Sequence, residues 1–348
     1  MEKAKIGLVG AGWIGSEHAR NLSANPDAEL VAVADMNLES AEKVRDTWAK
    51  DASIFQDYQE LLESEEVDAV FICSPNALHA EMSIAAAEAG KHIMCEKPMA
   101  ITLEDCDRIR QSVQAAGVKF LIGYHRRFNP LYQYAKAALD QGLLGTPVFA
   151  ESDYIHHIPS DLGIWDWLGK EEIAGSIFHG GSGHNVDLLR FFCGEITEIF
   201  CVKDISIPRK IQIETEDIAV STIRFANGTI GKVMLLVGGI TPFTFHFALY
   251  GTRGTVRNNQ IWLQNFPRFD EPGMEGECLE LPKSWIPDNV QGGVSETWGL
   301  LDNHFVDMLV KDVASMNDVE SAYRTSQACF AALESARTGK TIQLDGRS

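Results

Sequence analysis

A short apolar strand, Ile6–Val9, runs without a spacer into Gly10-Ala11-Gly12-Trp13-Ile14-Gly15. The string G-x-G-x-x-G thus stands at a strand-to-helix junction, the context that gives it structural meaning. Gly10 permits the tight turn, Gly12 lets a diphosphate approach the backbone, and Gly15 lets helix and strand pack closely. The amides of the first helical turn, around Trp13 and Ile14, present N–H groups and a partial positive charge to an anion. A second apolar run, Leu30–Ala34, ends at Asp35, twenty residues beyond Gly15. A carboxylate there can accept from both ribose hydroxyls of an adenosine and would repel a 2′-phosphate. Met36 and Asn37 follow it and bring no cation. The unit therefore calls for a dinucleotide, with NAD favoured over NADP.

Further apolar runs, Ala69–Cys73, His92–Cys95 and Phe120–Ile122, alternate with amphipathic stretches such as Ser16–Ala24, Leu38–Ala49 and Ala77–Ala89. Continuous hydrophobic strands separated by helices predict a parallel sheet covered on both faces. Past a helix over Asn129–Gln141 the pattern changes. The runs Pro147–Tyr154, Ile196–Ile205, Ile218–Phe225, Thr229–Leu236, Thr244–Leu249 and Thr255–Gln264 alternate more, and Asn227-Gly228 between two of them signals a hairpin. Helices are predicted over Ser182–Phe192, Glu296–Lys311 and Val319–Thr338, and Phe266–Gly293 reads as a long surface excursion. The expected architecture is α/β. A doubly wound Rossmann domain spans residues 1–125. An α+β domain with a large, open, mostly antiparallel sheet spans 126–348, and its last helices pack back on the first domain.

Composition narrows the partners. Forty-nine acidic against 30 basic side chains give a formal charge of −19. Such a surface repels phosphate backbones and anionic lipid, so neither nucleic acid nor membrane is an expected partner. Seven cysteines (73, 95, 106, 193, 201, 278 and 329) contain no C-x-x-C pair and read as reduced thiols. With no targeting segment in evidence and no apolar stretch of spanning length, the expectation is a cytoplasmic protein.

The C-terminal ends of parallel strands are where an open α/β sheet holds its ligand. Ser74-Pro75-Asn76 closes the run Ala69–Cys73, so Ser74, Asn76 and His79 either contact the cofactor or, as Asn76 can, cap the next helix. Glu96-Lys97-Pro98 closes the run ending at Cys95. Beside a cationic nicotinamide the ammonium of Lys97 would be disfavoured, which suits proton transfer; the plain alternative is a surface lysine.

These residues together resemble the Gfo/Idh/MocA oxidoreductases, relatives of glucose–fructose oxidoreductase and inositol 2-dehydrogenase. The resemblance extends through Gly123-Tyr124-His125-Arg126-Arg127-Phe128-Asn129-Pro130, Glu216-Asp217, Phe225–Thr229, Gly251–Gly254 and Ser335–Lys340. It implies that Lys97 is the catalytic lysine, that Glu96 and Lys97 lie at the cofactor, and that the C-terminal sheet joins copies into a homodimer or homotetramer. The segment Gly175–Asp187 resembles the second catalytic pattern of the family, G-G-x-x-x-D-x-G-x-H-x-x-D. His184 falls on its histidine and Asp187 on its trailing aspartate, whereas Gly180 stands where the pattern has an upstream aspartate. His179 is a candidate substitute. Without the resemblance, His184 reads equally as a residue held at a helix start.

The expected reaction passes a hydride between NAD and a secondary alcohol or ketone of a sugar, sugar derivative or cyclic polyol, with His184 and Lys97 handling the proton. Arg127, His156, Trp165, His179 and Asp187 are candidate substrate contacts. One of Arg126 and Arg127 is expected to pair with surface acids. The alternative for His156, His157, Trp165 and Trp167 is an ordinary loop with buried tryptophans. No metal is expected, because the histidines lack ligand spacing. Two other readings share the cofactor: a redox-neutral enzyme that cleaves or epimerises a glycoside through transient oxidation, and a non-catalytic NAD-binding regulator.

Overall fold

The computed structural model describes residues 3–159, 164–206, 212–263, 279–282 and 293–346. The chain divides into two compact units. The first comprises Met1–His125, Glu172–Gly175 and Ser295–Ser326; the second comprises Arg126–Glu171, Ser176–Val294 and Gln327–Ser348.

In the first unit β1 (Ala4–Val9), β2 (Ala28–Ala34), β3 (Ser53–Phe55), β4 (Ala69–Ile72), β5 (His92–Cys95) and β6 (Phe120–Ile122) form one sheet in the order β3-β2-β1-β4-β5-β6. All five pairings are parallel. This is the doubly wound order that brings the ends of β1 and β4 to the topological switch point. Ile6, Leu8, Val70, Phe71, Ile93 and Met94 are fully buried, as strands covered on both faces require. The edge strand β3 is absent from the sequence-based reading: three residues are too few to show a period. The first helix, Trp13–Ala24, begins directly after Gly12, three residues earlier than its amphipathic period suggests. The helix Leu103–Ala116 opens on Thr102, whose hydroxyl accepts from Asp105 N–H, and ends on Gly117 at φ +67°. From the far end of the chain, the segment Ser295–Ser326 contributes Phe305, which meets Phe71 edge to face.

In the second unit, β7 (Pro147–His156), β8 (Ile196–Asp204), β9 (Ile218–Phe225), β10 (Ile230–Val237), β11 (Thr244–Gly251), β12 (Gly254–Arg257), β13 (Gln260–Leu263), β14 (Leu279–Glu280) and β15 (Ile342–Gln343) form a second sheet among the described residues. Its order is β14-β13-β12-β11-β7-β10-β9-β8-β15, antiparallel except for the central β7–β10 pair. The hairpin at Asn227-Gly228 joins β9 to β10, with Gly228 at φ +88° and Asn227 Oδ1 accepting from Thr229 N–H. The single run read over Thr255–Gln264 is instead two strands. Asn258 turns the chain at φ 50°, and its side chain accepts from Phe247 N–H. One face of the sheet, with Ile223, Val233, Leu235, Phe247 and Leu249, packs into a core with Val186, Leu189 and Phe192 of the helix Gly183–Cys193. Most of the excursion read over Phe266–Gly293 lies outside the described residues. Among the described residues no helix is long and apolar enough to cross a membrane.

Candidate functional site

The glycine loop of the first unit is built for a close-approaching anion. Gly10 sits at φ +96°, and a Cβ there would come within 2.6 Å of the Cys73 carbonyl oxygen. A Cβ on Gly15 would strike the Gly10 carbonyl, so helix and turn are in contact. A Cβ on Gly12 would meet nothing, and no side chain caps the helix. The first helical turn therefore keeps its amides uncapped by any side chain, with open space at Gly12 through which a diphosphate can approach. Trp13 is exposed beside them, its ring edge-on to Trp298 at 5.5 Å. Asp35 accepts from Ala11 N–H at 2.7 Å and from Asn37 N–H at 2.8 Å, which fixes the carboxylate at the rim of the loop. No lysine or arginine among the described residues pairs with it. Ser74 Oγ is buried with no hydrogen-bond partner among the described residues, a hydroxyl left over for a ligand. On these observations the residues present fit NAD.

Asn76 does not cap the following helix. Its side chain donates instead to the Ala174 carbonyl at 2.8 Å. His79 is buried between two carbonyls, with Nδ1 2.7 Å from Pro98 O and Nε2 3.0 Å from Ser74 O. It ties the turn after β4 to the turn after β5. Burial lowers its pKa against the pull of those carbonyls.

Glu96 is buried, and its Oε2 accepts from Lys97 N–H at 3.0 Å. Behind it stand two groups that the sequence reading missed. His18, fully buried, donates from Nε2 to Glu96 Oε1 at 3.3 Å and from Nδ1 to Asp302 Oδ1 at 2.7 Å. Asn21 donates to the other Asp302 oxygen at 2.8 Å. Burial opposes a charged imidazole, yet Asp302 and Glu96 outweigh it and hold the His18 pKa up at about 10. Burial likewise opposes the Glu96 carboxylate, but His18 and the Lys97 charge win and keep its pKa below the ordinary value. Asp302, burdened most by burial, is shifted up. A buried acid–imidazolium–acid row thus ends at the peptide of Lys97. The available signal was His18 on the buried face of its helix with Gly15, Ala19 and Leu22.

In the second unit the chain makes a π-helical turn over Phe178–Ser182 and passes into the helix Gly183–Cys193. Such turns often accompany functional sites, since they swing side chains off the regular helical face. Glu216 seats the turn: its carboxylate accepts from Phe178 N–H at 2.8 Å, from Ser176 Oγ, and from Lys203 at 2.8 Å. His184 is buried in the first turn of the helix, its ring 6.3 Å from Phe245 of β11. Register pairs Phe245 with Tyr154 of β7, whose hydroxyl lies 3.1 Å from His156 Nδ1. The His156 ring meets Phe243 at 4.5 Å. A Cβ on Gly180 would meet no atom within 4 Å, so the space of the missing carboxylate is open.

The other candidates have structural partners. Arg127 holds Asp187 side-on, Nε to Oδ2 at 2.8 Å and Nη2 to Oδ1 at 2.7 Å, and both are buried. The arginine paired with an acid is thus in the interior, not on the surface. His179 is buried with its ring 4.8 Å from Phe330, and burial takes its pKa down to about 3. A neutral ring there does not reproduce a carboxylate. Trp165 is buried and donates to Pro159 O at 3.0 Å. Glu151, Asp153 and His246 converge on the other face of the sheet, where Lys232 already lies 3.0 Å from Glu151 and 3.1 Å from Asp153 and supplies the positive charge.

A Rossmann order, a glycine loop open to a diphosphate and an acid fixed at its rim define an NAD-dependent oxidoreductase. The chain belongs to the Gfo/Idh/MocA oxidoreductase family. Residues 4–124 match its NAD-binding Rossmann-fold model and 132–257 its C-terminal domain model. The uncharacterized oxidoreductase YrbE of Bacillus subtilis is 31% identical over 72% of this chain and 72% of its own. The myo-inositol 2-dehydrogenase of Thermotoga maritima is 29% identical over 78% and 80%. A solved levoglucosan dehydrogenase, in complex with NADH and levoglucosan, superimposes with a TM-score of 0.89 over 99% of this chain and 100% of its own at 24% identity, a likeness of fold.

Proposed function

We infer that this protein transfers a hydride between NAD and a secondary alcohol or ketone of a sugar, sugar derivative or cyclic polyol. The observation that carries the reading is the end of β5, where the buried Glu96 carboxylate accepts from the Lys97 N–H. The activity in the name of the Thermotoga maritima relative supports the same reading. NAD, when bound through Gly10, Gly12, Trp13, Ile14, Gly15, Asp35 and Ser74, supplies the hydride acceptor. His184 takes the proton of the substrate hydroxyl, directly or through Lys97, and an imidazole is suited to this because it ordinarily titrates near neutrality. The Lys97 ammonium stabilises the alkoxide that develops as the proton leaves. Tyr154, Phe245 and His156 offer the substrate ring aromatic faces and a polar rim. The open face of the second sheet, where Phe200, Val202 and Ile230 are exposed, supports assembly into a homodimer or homotetramer. The six described cysteines are free and buried, which supports a reducing, cytoplasmic location.

The test is NAD+ reduction over a panel of sugars, glycosides, inositols and sugar acids. Steady NADH release identifies a dehydrogenase, whereas product without NADH points to the redox-neutral alternative. Lys97→Ala should cut kcat by about 10³-fold while NADH affinity stays within a few fold. Unchanged turnover would sink the assignment of Lys97.

A further inference from the structure

The motif Gly251–Gly254, which the proposed reaction does not use, closes the turn between β11 and β12. A second turn locks it in place. Thr252 N–H donates to Thr146 O and Arg253 N–H to Leu144 O, both at 3.0 Å, while Thr252 Oγ1 accepts from Thr146 N–H at 3.0 Å. The two turns meet so closely that a Cβ on Gly145 would lie 2.9 Å from Arg253 Cγ, and one on Gly251 would strike the Leu144 carbonyl. The backbone that carries Arg253 is therefore anchored.

Beside this turn β11, β12 and β13 bring three side chains into one cross-strand row, Tyr250 opposite Thr255 and Thr255 opposite Trp262. Their chain neighbours Leu249, Val256 and Ile261 belong to the core, so by strand alternation the row lies on the other face of the sheet. A cavity of about 460 Å³ opens over it, within the size range of small-molecule sites. Tyr250, Trp262 and Leu263 give the cavity apolar walls, Thr255 adds a hydroxyl, and Arg253 and Arg257 add charge. The Arg257 guanidinium lies over the Trp262 ring, 5.4 Å from its centroid. Among the described residues no carboxylate lines the cavity, and none pairs with either arginine. Elsewhere in this acidic chain arginines hold acids, as Arg110 holds Asp107 and Arg190 holds Glu195. Two guanidinium groups at one concave wall, with no acid beside them, make a local positive field in a molecule of charge −19.

We propose that this cavity binds a nucleoside monophosphate, its base against Trp262 and Tyr250 and its phosphate on Arg253 and Arg257. Guanidinium forks receive phosphate oxygens in pairs, which suits a terminal phosphate. The indole already carries one planar group, the Arg257 guanidinium, and a heteroaromatic base is a planar group of the kind that stacks on such a ring. The cavity belongs to the second unit, whereas the glycine loop that fits NAD belongs to the first. The site is thus separate from the cofactor's and does not rest on the dehydrogenase reading. A sugar phosphate shares the anion, brings no planar base, and is the competing source.

The experiment is calorimetry on the NADH-saturated protein, whose glycine loop is already filled, with AMP, adenosine, ribose 5-phosphate, D-glucose 6-phosphate and inorganic phosphate. AMP should bind once per chain, and adenosine and both sugar phosphates should each bind at least about tenfold more weakly. Arg253→Ala and Arg257→Ala should each weaken AMP about tenfold and leave NADH affinity within a few fold, which also shows that the variants fold. Trp262→Leu should weaken AMP about 5- to 100-fold and leave inorganic phosphate unchanged. No binding of AMP at millimolar concentration, equal affinity for AMP and either sugar phosphate, or AMP affinity unchanged in both arginine variants would overturn the proposal. So would AMP that only displaces NADH, read as a loss of NADH fluorescence. A fall in light-scattering mass in the arginine variants, with AMP silent, would assign the pair to a contact between copies and overturn it as well.

Discussion

Replacing His18 by Gln would leave Glu96 and Asp302 as two buried carboxylates with no cation between them. The imidazole is fully buried, 2.7 Å from Asp302 and 3.3 Å from Glu96. Its pKa rises from 6.5 in the unfolded chain to about 10 in the fold. At about 1.36 kcal/mol per unit, that is on the order of 5 kcal/mol of stability at most. Removing one partner of a buried ion pair costs about 3–5 kcal/mol in general, so the two routes agree. The sign follows from the direction of the shift. A group whose folded pKa lies above its unfolded value contributes fully below the unfolded value and loses that contribution as pH rises through the folded one. The gap between wild type and His18→Gln should therefore be widest near pH 6 and shrink towards pH 10, about 3–5 kcal/mol at its widest. In the variant one of the two carboxyls relieves the strain by keeping a proton, which bounds the loss. Denaturant unfolding followed through tryptophan fluorescence at several pH values, always as wild type minus variant, reads the effect. A gap under about 1 kcal/mol near pH 6, or one that does not narrow by pH 10, would refute the charged relay.

Two further changes test other parts of the molecule. Asp35→Ser removes the repulsion of a 2′-phosphate and the acceptor for Ala11 N–H, so the Kd ratio of NADPH to NADH should fall by about 10- to 100-fold in fluorescence titration; an unchanged ratio would show that Asp35 does not choose the cofactor. If the open sheet face joins copies as proposed, Val202→Asp, which places a charge on an exposed position of it, should reduce the mass seen by light scattering to that of a smaller species; a wild-type mass of one chain, or a mass unchanged in the variant, would count against that face as an interface.

The parallel sheet was legible because its central strands are buried on both faces and run almost wholly apolar, and because Gly10, Gly15 and Asp35 leave a spacing that few other structures need. Where the sequence-based reading fell short, the cause was local and physical. The edge strand β3 is three residues long, and the run Thr255–Gln264 is broken by Asn258, whose left-handed backbone leaves no hydrophobic mark. The π-helical turn before His184 is held by Glu216, from well outside its own segment. The buried row behind Lys97 was invisible for the same reason: Asp302 reaches His18 across 284 positions, from a helix that pattern alone places in the other domain. Motifs mark where the chain meets a ligand; the residues that fix the charge of a motif come from anywhere in the fold.

Arg126 and Arg127 make the same point at the scale of one peptide bond. In sequence they are indistinguishable, and the expectation that one pairs with an acid held only in outline. Arg127 found that acid in Asp187, and a buried pair with two matched hydrogen bonds is a structural element whose charge needs no ligand. Arg126, also buried, reaches the Tyr132 hydroxyl and has no acid beside it among the described residues. The difference between them is the partner, and the partner comes from the fold, not from the local sequence.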